Sequence, residues 1–499
     1  MAIERVRAYF ATLGIEDRIL EFETSSATVA LAAAALGTEE CRIAKTLSFH
    51  LGDRVLLVVA AGDAKIDNQK YKARFGTKAK MLAFEEAEAL VGHAVGGVCP
   101  FAVNEGVDVY LDESLKRFET VFPACGSSNS AIEFTLGELE RYSGALGWVD
   151  VCKYSCFAEC RNVVLTDACG MPSAMVYIPA FRLSDVIDGA SDRLHPAFVQ
   201  SGRALSGIYV SKYQSTIRDG YECSILASDP ATGIDYDGAS RAARAKGVGW
   251  HLMTAMEWGA IALLCLKNGH LPYGNNDLGK DVRESDFVAT VSFSDAEKGI
   301  CRTATGTGPV SWSHNGRRSG IYDLNGNVWE WSGGIRLVYG EVQLLSSYGD
   351  DESASSDAWR AIDGRTGALC VPDGKGTTRS SVKLDYRDGR WIYVTGELSD
   401  ALPKARFCDF ASVSADPSLS REALELLYAL ALLPWREGEE FDGVALYANN
   451  GAAERIPFRG GRWGQGLNAG VFKTCIDDPR TYCGAAVGFR TAFAEAEKA

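Results

Sequence analysis

The sequence predicts an α+β protein of two domains, and three observations carry that reading. At 499 residues the chain is longer than one ordinary hydrophobic core holds together. Up to about Lys153, apolar runs with strand alternation are interleaved with segments of helical spacing, the pattern of one compact mixed α+β domain over residues 1–153. Beyond that point glycine and tryptophan rise, helical spacing becomes rare, and Gly, Asp and Ser break the alternation. A second domain, residues 154–499, is therefore expected to be built mainly from short strands.

Composition narrows the functional classes. A hydrophobic fraction of 46% and a charged fraction of 23% are those of a folded globular chain. The net charge of -14 disfavours general affinity for nucleic acid or for an anionic membrane. No apolar run reaches the roughly 18 residues a membrane span needs, and no signal-peptide core follows Glu4, Arg5 and Arg7. Fourteen cysteines spread over the whole length suit reduced thiols and a cytoplasmic location. Cys152, Cys156 and Cys160 recur at spacings of four, without the CxxC pair that zinc sites commonly use.

In the first domain a helix-like stretch runs to about Leu20, and Leu47 to Ala60 reads as a hairpin turning at Gly52-Asp53. Strands follow near Val107 to Leu111 and Ala131 to Phe134, with helices over Asn68 to Phe75, Phe84 to Val91 and Leu136 to Ser143. Lys45 lies at the entry to an apolar strand, where its ammonium either snorkels to solvent or faces a pocket. Gly96 to Pro100 (GGVCP) is a glycine-rich turn closed by proline, able to present backbone N–H groups, Gly97 included, to an oxyanion or ester carbonyl. His93 reads as structural, while Asn129 and Ser130 either line a pocket or satisfy backbone groups. Residues 1–153 hold 16 Lys and Arg against 22 Asp and Glu, a net of -6. Yet Lys65, Lys70, Lys72, Arg74, Lys78 and Lys80 cluster with Asp67 as the only acid between them. Such a run is either a solvated helix face or a phosphate contact.

Residues 1–153 resemble the YbaK/EbsC family of aminoacyl-tRNA deacylases, relatives of the editing insertion of prolyl-tRNA synthetase. The resemblance rests on RIAKTLSF (42–49), AGDAKIDNQKYKARFG (61–76), GHAVGGVCPFAV (92–103), VYLDESLKRFETVFPACGSSNSAIEF (109–134) and WVDVCK (148–153). It implies that Lys45 orients an aminoacyl ester of mischarged tRNA, and that the turn with Gly96, Gly97 and Pro100 binds the carbonyl and developing oxyanion. Hydrolysis then needs neither a cofactor nor a protein nucleophile. A well-placed oxyanion donor contributes on the order of 3–4 kcal/mol, enough to make so sparse a site effective on an activated ester.

In the second domain Met175 to Pro179 and Gly207 to Tyr213 read as strands, and Thr254 to Lys267 as one buried helix. GIYDLNGNVWEWSGG (320–334) gathers Asp323, Asn325, Asn327 and Glu330, hard oxygen groups that either bind calcium or cap turns. A Ser/Asp/Gly-rich insertion, about 340–448, carries one helix-like piece from Arg421 to Leu433 and no evident chemistry. Residues 459–490 keep neither helical nor strand periodicity. They are expected to be mostly surface, anchored by Trp463 and Phe489.

This half resembles the formylglycine-generating-enzyme and sulfatase-modifying-factor family, a variant of the C-type lectin fold, through MVYIPAF, GIYVSKY, AMEW, NGNVWEW, RGGRW and GFR. The resemblance implies a structural calcium at Asp323, Gly326, Val328 and Glu330, the middle two through backbone carbonyls. Catalytic members place a copper-binding cysteine pair just behind the last glycine pair. Here Gly464, Gln465, Gly466 and Leu467 stand there, which argues against an oxidase. The runs 251–276 and 308–334, with the NAGVF and PR…GFR frame, also resemble the variable proteins of diversity-generating retroelements. In these, error-prone copying at template adenines diversifies a ligand-binding face on a fixed lectin scaffold. That resemblance implies a variable face at Arg462, Gly464, Gln465, Leu467, Lys473, Cys475, Asp477, Tyr482, Cys483, Gly484 and Ala486. Glutamine and lysine cannot arise from an AAC codon by adenine replacement alone, so Gln465 and Lys473 need other template codons or are fixed. The partner expected at the face is a protein or other ligand, since a standard interface takes roughly 800 Å² from each side.

Overall fold

The computed structural model describes residues 2–495 apart from 23, 39, 53, 154–160, 285 and 442. It divides into two compact units, Met1–Ala158 and Glu159–Ala499. Cys156 and Cys160 lie outside the described residues, so the spacing-of-four cysteine motif is represented by Cys152 alone, which is buried. Among the described residues no helix is long and apolar enough to cross a membrane.

The first unit is organised on a seven-stranded mixed sheet. Its centre is the hairpin of Ile43–Leu51 and Arg54–Ala61, closed in the register Leu51↔Arg54 with Gly52 in the left-handed region that a tight turn requires. Val107–Asp112 runs parallel to the second hairpin strand and Thr120–Pro123 parallel to the first. Leu56 to Ala61 are all fully buried, a continuous apolar run rather than an alternation, because both faces of this strand are covered. Val6 and Phe10 of the first helix, Tyr71 and Leu139 pack into the same core.

Three predicted helices form as read, and local chemistry sets their ends. Asp67 caps Asn68–Phe75 through the N–H groups of Gln69 and Lys70, and Gly76 ends it. Phe84–Val91 stops at Gly92, and Leu136–Ser143 starts in a Thr135/Glu138 capping box. The first helix is shorter than expected. It spans Ala2–Ala11, and a turn through Gly14 ends its spacing well before Leu20.

The second unit holds three larger sheets. A five-stranded sheet orders Arg161–Thr166, Pro172–Pro179, Gly207–Ser211, Thr491–Phe493 and Trp250–Leu252. A six-stranded sheet orders Arg406–Asp409, Ala445–Ala448, Gly470–Ile476, Phe458–Gly460, Trp329–Trp331 and Val487–Phe489. Helix Ala255–Lys267 is capped by Thr254 and Glu257 and presses Gly259 onto the helix Arg421–Ala429, where a side chain would meet the Ala429 carbonyl at 1.9 Å.

Two expectations are corrected here. The Ser/Asp/Gly-rich insertion, residues 340–448, holds more than the one helix-like piece read from the sequence: with Ile335–Val338 it forms a seven-stranded sheet of its own and lends two strands to the six-stranded one. Residues 459–490 are not mostly surface, because Gly470–Ile476 is an inner strand buried along almost its whole length. Covered on both faces, it shows no two-residue alternation.

One buried charge cluster holds the five-stranded sheet. Lys246 reaches Asp167 at 3.0 Å and Glu222 at 2.8 Å and lies 4.4 Å from the Trp250 ring centre. Replacing Lys246 by Met leaves two buried carboxylates without their cation, a loss of roughly 3–5 kcal/mol. Urea unfolding of the variant is expected to show that loss, and an unchanged midpoint would refute it.

Candidate functional sites

Strand Ile43–Leu51 carries Lys45 into a cleft of about 400 Å³ whose lining includes Val29, Leu47, Leu82, Val98, Phe122, Gly96 and Ser130. Lys45 Nζ donates to the Gly62 carbonyl at 2.8 Å. Burial holds its pKa below the ordinary lysine value, and neighbouring Asp63 and Cys152 act against that fall while Lys65 adds to it. Thr46, also in the lining, has a buried hydroxyl with no hydrogen-bond partner among the described residues.

The glycine turn divides into two roles. Gly96, with φ +94°, lines the cleft, and a Cβ there would sit 3.3 Å from the Ala27 Cβ. Gly97 does not line it. A Cβ on Gly97 would lie 2.8 Å from the Ser127 backbone, and its N–H already donates to the Ala94 carbonyl at 3.0 Å. Gly97 therefore lets two loops approach closely and is no oxyanion donor in this geometry, a correction to the sequence reading. Pro100 is buried behind the turn. Asn129 donates to the Phe22 carbonyl, and His93 Nε2 lies 2.8 Å from the Phe101 carbonyl, both structural. The walls contributed by Val29, Leu82 and Phe122 were not legible in sequence, because they come from segments far apart in the chain.

Lys65, Lys70, Lys72, Arg74, Lys78 and Lys80 are all exposed. Lys70 pairs with Asp150 at 2.8 Å, and the Arg74 guanidinium lies over the Phe75 and Tyr110 rings.

In the second unit Asp323 and Glu330 are buried and close to each other, but their partners are protein groups. Both Glu330 carboxylate oxygens accept from Arg490 at 2.8 Å. The Gln214 amide Nε2 donates to Glu330 Oε1 at 3.0 Å, to the Val328 carbonyl at 3.0 Å and to the Asp323 carbonyl at 3.2 Å. Asp323 accepts from the Gly306 N–H at 2.8 Å, and burial raises its pKa to about 6.

Along the last segment Gly464, Leu467, Tyr482 and Cys483 are exposed, and Arg462, Gln465, Asp477, Gly484 and Ala486 are partly so. Lys473 and Cys475, expected on the ligand-facing surface, are buried in the inner strand. Lys473 lies 4.2 Å from the Tyr447 ring centre and bonds Asn468, and burial lowers its pKa to about 7. The Cys475 thiol donates to Asp477 at 2.7 Å, and burial keeps it protonated. Cys475, Asp477 and Asp478 thus bring one thiol and two carboxylates within 4.8 Å of one another.

Comparisons with known proteins place both halves. The aminoacyl-tRNA editing domain model matches residues 23–142. The uncharacterized protein YwhH of Bacillus subtilis is 55% identical over 154 residues, which are 31% of this chain and 98% of that protein. By its N-terminal unit, the chain belongs to the aminoacyl-tRNA editing domain family. A proline–tRNA ligase of Bacillus cytotoxicus is 26% identical over 107 residues, 21% of this chain and 19% of the ligase. The sulfatase-modifying factor enzyme 1-like domain matches residues 157–344. The fold is thus an α+β editing domain followed by a domain like that of sulfatase-modifying factor enzyme 1. Treponema denticola variable protein 1 is similar at 12% identity and a TM-score of 0.25, covering 66% of this chain and 98% of that one.

The calcium that the second family implies does not suit these residues. A cation between Val328 and Glu330 would meet the Gln214 amide protons and share its carboxylate with a guanidinium. Here the Arg490 guanidinium supplies the positive charge that a metal would bring, and the neutral Gln214 amide supplies hydrogen-bond donors to the same oxygens. Calcium or a chelator is expected to leave the melting temperature unchanged, whereas Gln214→Ala, which strips a buried donor from three acceptors, is expected to lower it by several degrees. A calcium-dependent rise in the wild type would overturn this assignment.

Proposed function

We propose that the N-terminal unit is an aminoacyl-tRNA deacylase acting on mischarged tRNA, and that the C-terminal unit is a non-catalytic ligand-binding module. The observation that carries the first part is the meeting of Lys45 and Gly96 in one largely apolar cleft. The Lys45 ammonium, held among the described residues by a neutral carbonyl, is able to turn to an ester carbonyl. The Gly96 side of the cleft admits the substrate close to the backbone, and water or a group on the substrate completes hydrolysis. The exposed lysines from Lys65 to Lys80 offer phosphate contacts on an otherwise acidic domain.

For the second unit, the support is the exposure of Gly464, Leu467, Tyr482 and Cys483 in the segments on either side of the buried strand Gly470–Ile476. The face is read as retroelement-diversified. Lys473 and Cys475 are reassigned to its scaffold, in keeping with the codon argument that lysine is not reached from AAC.

Deacylation of a panel of mischarged tRNAs tests the first part. The intact protein is expected to release the amino acid from at least one of them, and Lys45→Ala to lose 100-fold or more, on the order of a displaced catalytic group. No release from any charged tRNA would sink the deacylase reading. Sequencing of sister genes tests the second. Substitutions are expected at Gly464, Leu467, Tyr482 and Cys483 and not at Lys473 or Cys475, and the opposite distribution would refute the assignment.

A further inference from the structure

Beside the Lys45 ammonium lies a carboxylate that does not take it. Lys45 Nζ bonds the Gly62 carbonyl, and the next residue, Asp63, turns its carboxylate instead to Arg117, at 3.0 Å and 2.5 Å from the two guanidinium nitrogens. The pair is largely enclosed, with side-chain exposures of 9% for Arg117 and 16% for Asp63. Arg117 is itself fixed, its Nε donating to the Ser114 carbonyl at 2.8 Å, while the Ser114 hydroxyl accepts from the Ala61 N–H at 3.1 Å. Behind them the buried Asp112 accepts from the N–H groups of Ser114, Val151 and Cys152. The turn from Ala61 to Ala64 is thereby held from two sides. Gly62 has no room to shift, since a Cβ there would fall 1.9 Å from the Glu40 carbonyl and 2.7 Å from Val29.

We propose that Arg117 is a positioning residue that sequesters the Asp63 carboxylate, so that the Lys45 ammonium rests on a neutral carbonyl and stays available to the cleft. The inference rests on the deacylase reading for its catalytic consequence and on geometry for the rest. A carboxylate one residue from the Lys45 acceptor would otherwise form an ion pair with the ammonium in a partly desolvated pocket, where such a pair is tight. An ammonium paired in that way would have to break the pair before it could turn to an ester carbonyl. A bidentate guanidinium prevents this, because its two parallel donors match both carboxylate oxygens.

The test uses the intact chain, with Lys45 acylation by acetic anhydride followed across pH by peptide mass spectrometry, and single-turnover deacylation alongside. Among the described residues, the titratable groups that act on Lys45 are Cys152, Asp63 and Lys65. In Arg117→Gln the freed Asp63 carboxylate is expected to capture the ammonium, so the Lys45 midpoint moves to higher pH and deacylation falls tenfold or more, about what misplacement costs. In Asp63→Asn the loss of the anion is expected to move the midpoint to lower pH. The double variant Asp63→Asn with Arg117→Gln leaves no carboxylate to capture Lys45 and is expected to recover most of the lost rate. A purely structural role for the pair predicts no such rescue. An unmoved midpoint in Arg117→Gln, or a double variant no faster than Arg117→Gln, overturns the proposal. Should Arg117→Gln fail to fold, the direction of the Asp63→Asn midpoint decides. A wild type inactive on every charged tRNA, with the midpoints moving as stated, would refute the deacylase reading and keep the positioning role.

Discussion

The C-terminal unit depends on one buried ion pair. Arg490 has no exposed surface, and its guanidinium makes four bonds, two to Glu330 and one each to the Ser211 and Tyr322 carbonyls. Those contacts join a residue near the end of the chain to the Trp329–Trp331 strand, to the strand Gly207–Ser211 and to the loop before the WEW block. A charge so placed is tolerated because a carboxylate pairs with it and carbonyls take further donors, and removing either side leaves the other uncompensated in a medium that solvates it poorly. Gln214 completes the arrangement. Its amide nitrogen contacts Glu330 and two carbonyls, and its oxygen accepts from Asn327 at 2.9 Å. Asp323 and Asn327 adopt positive φ to form this turn, and the same network holds them there.

In the N-terminal unit the governing constraint is steric. Lys45 is held within a cleft because its strand is the first arm of a hairpin whose second arm is fully buried from Leu56 to Ala61. Around the cleft the backbones approach closely: a side chain on Gly96 would crowd Ala27 in the lining, and side chains on Gly62 and Gly97 would strike the Glu40 carbonyl and the Ser127 backbone outside it. Close backbone approach and a partly desolvated ammonium have the same origin in that packing. The acidic balance of the domain and its exposed lysines do not conflict, since steering by a local patch depends on charges within about a Debye length.

The sequence was most legible where local chemistry decides structure. Asn68–Phe75, Phe84–Val91 and Leu136–Ser143 follow from helical spacing bounded by caps and glycines, and the hairpin follows from alternation around Gly52. Lys45 stood out as a lysine in an apolar strand and Gly96 as part of a glycine turn closed by proline, and the resemblance to the deacylase family is what gave both a role. Less legible were segments whose character depends on neighbours. Gly470–Ile476 lacks alternation because it is covered on both faces, and the sheet within 340–448 is assembled from strands of two to five residues that carry little periodicity.

The sequence by itself determined an α+β first domain, the change of character after Lys153 and the residue types at the candidate sites, and its motifs carried the resemblance to an editing domain and to a lectin-type domain. The helices and the hairpin rest on spacing, caps and turn chemistry, which act within a few residues along the chain. Only the tertiary structure decided which of those residues meet. It placed Gly96 and not Gly97 in the cleft, gave the Asp63 carboxylate to Arg117, set Gln214 and Arg490 against Glu330, and buried Lys473 and Cys475 beneath the loop face. Each of these depends on groups tens to hundreds of positions apart, whose competition for one hydrogen-bond partner or one volume is settled only when the core is packed.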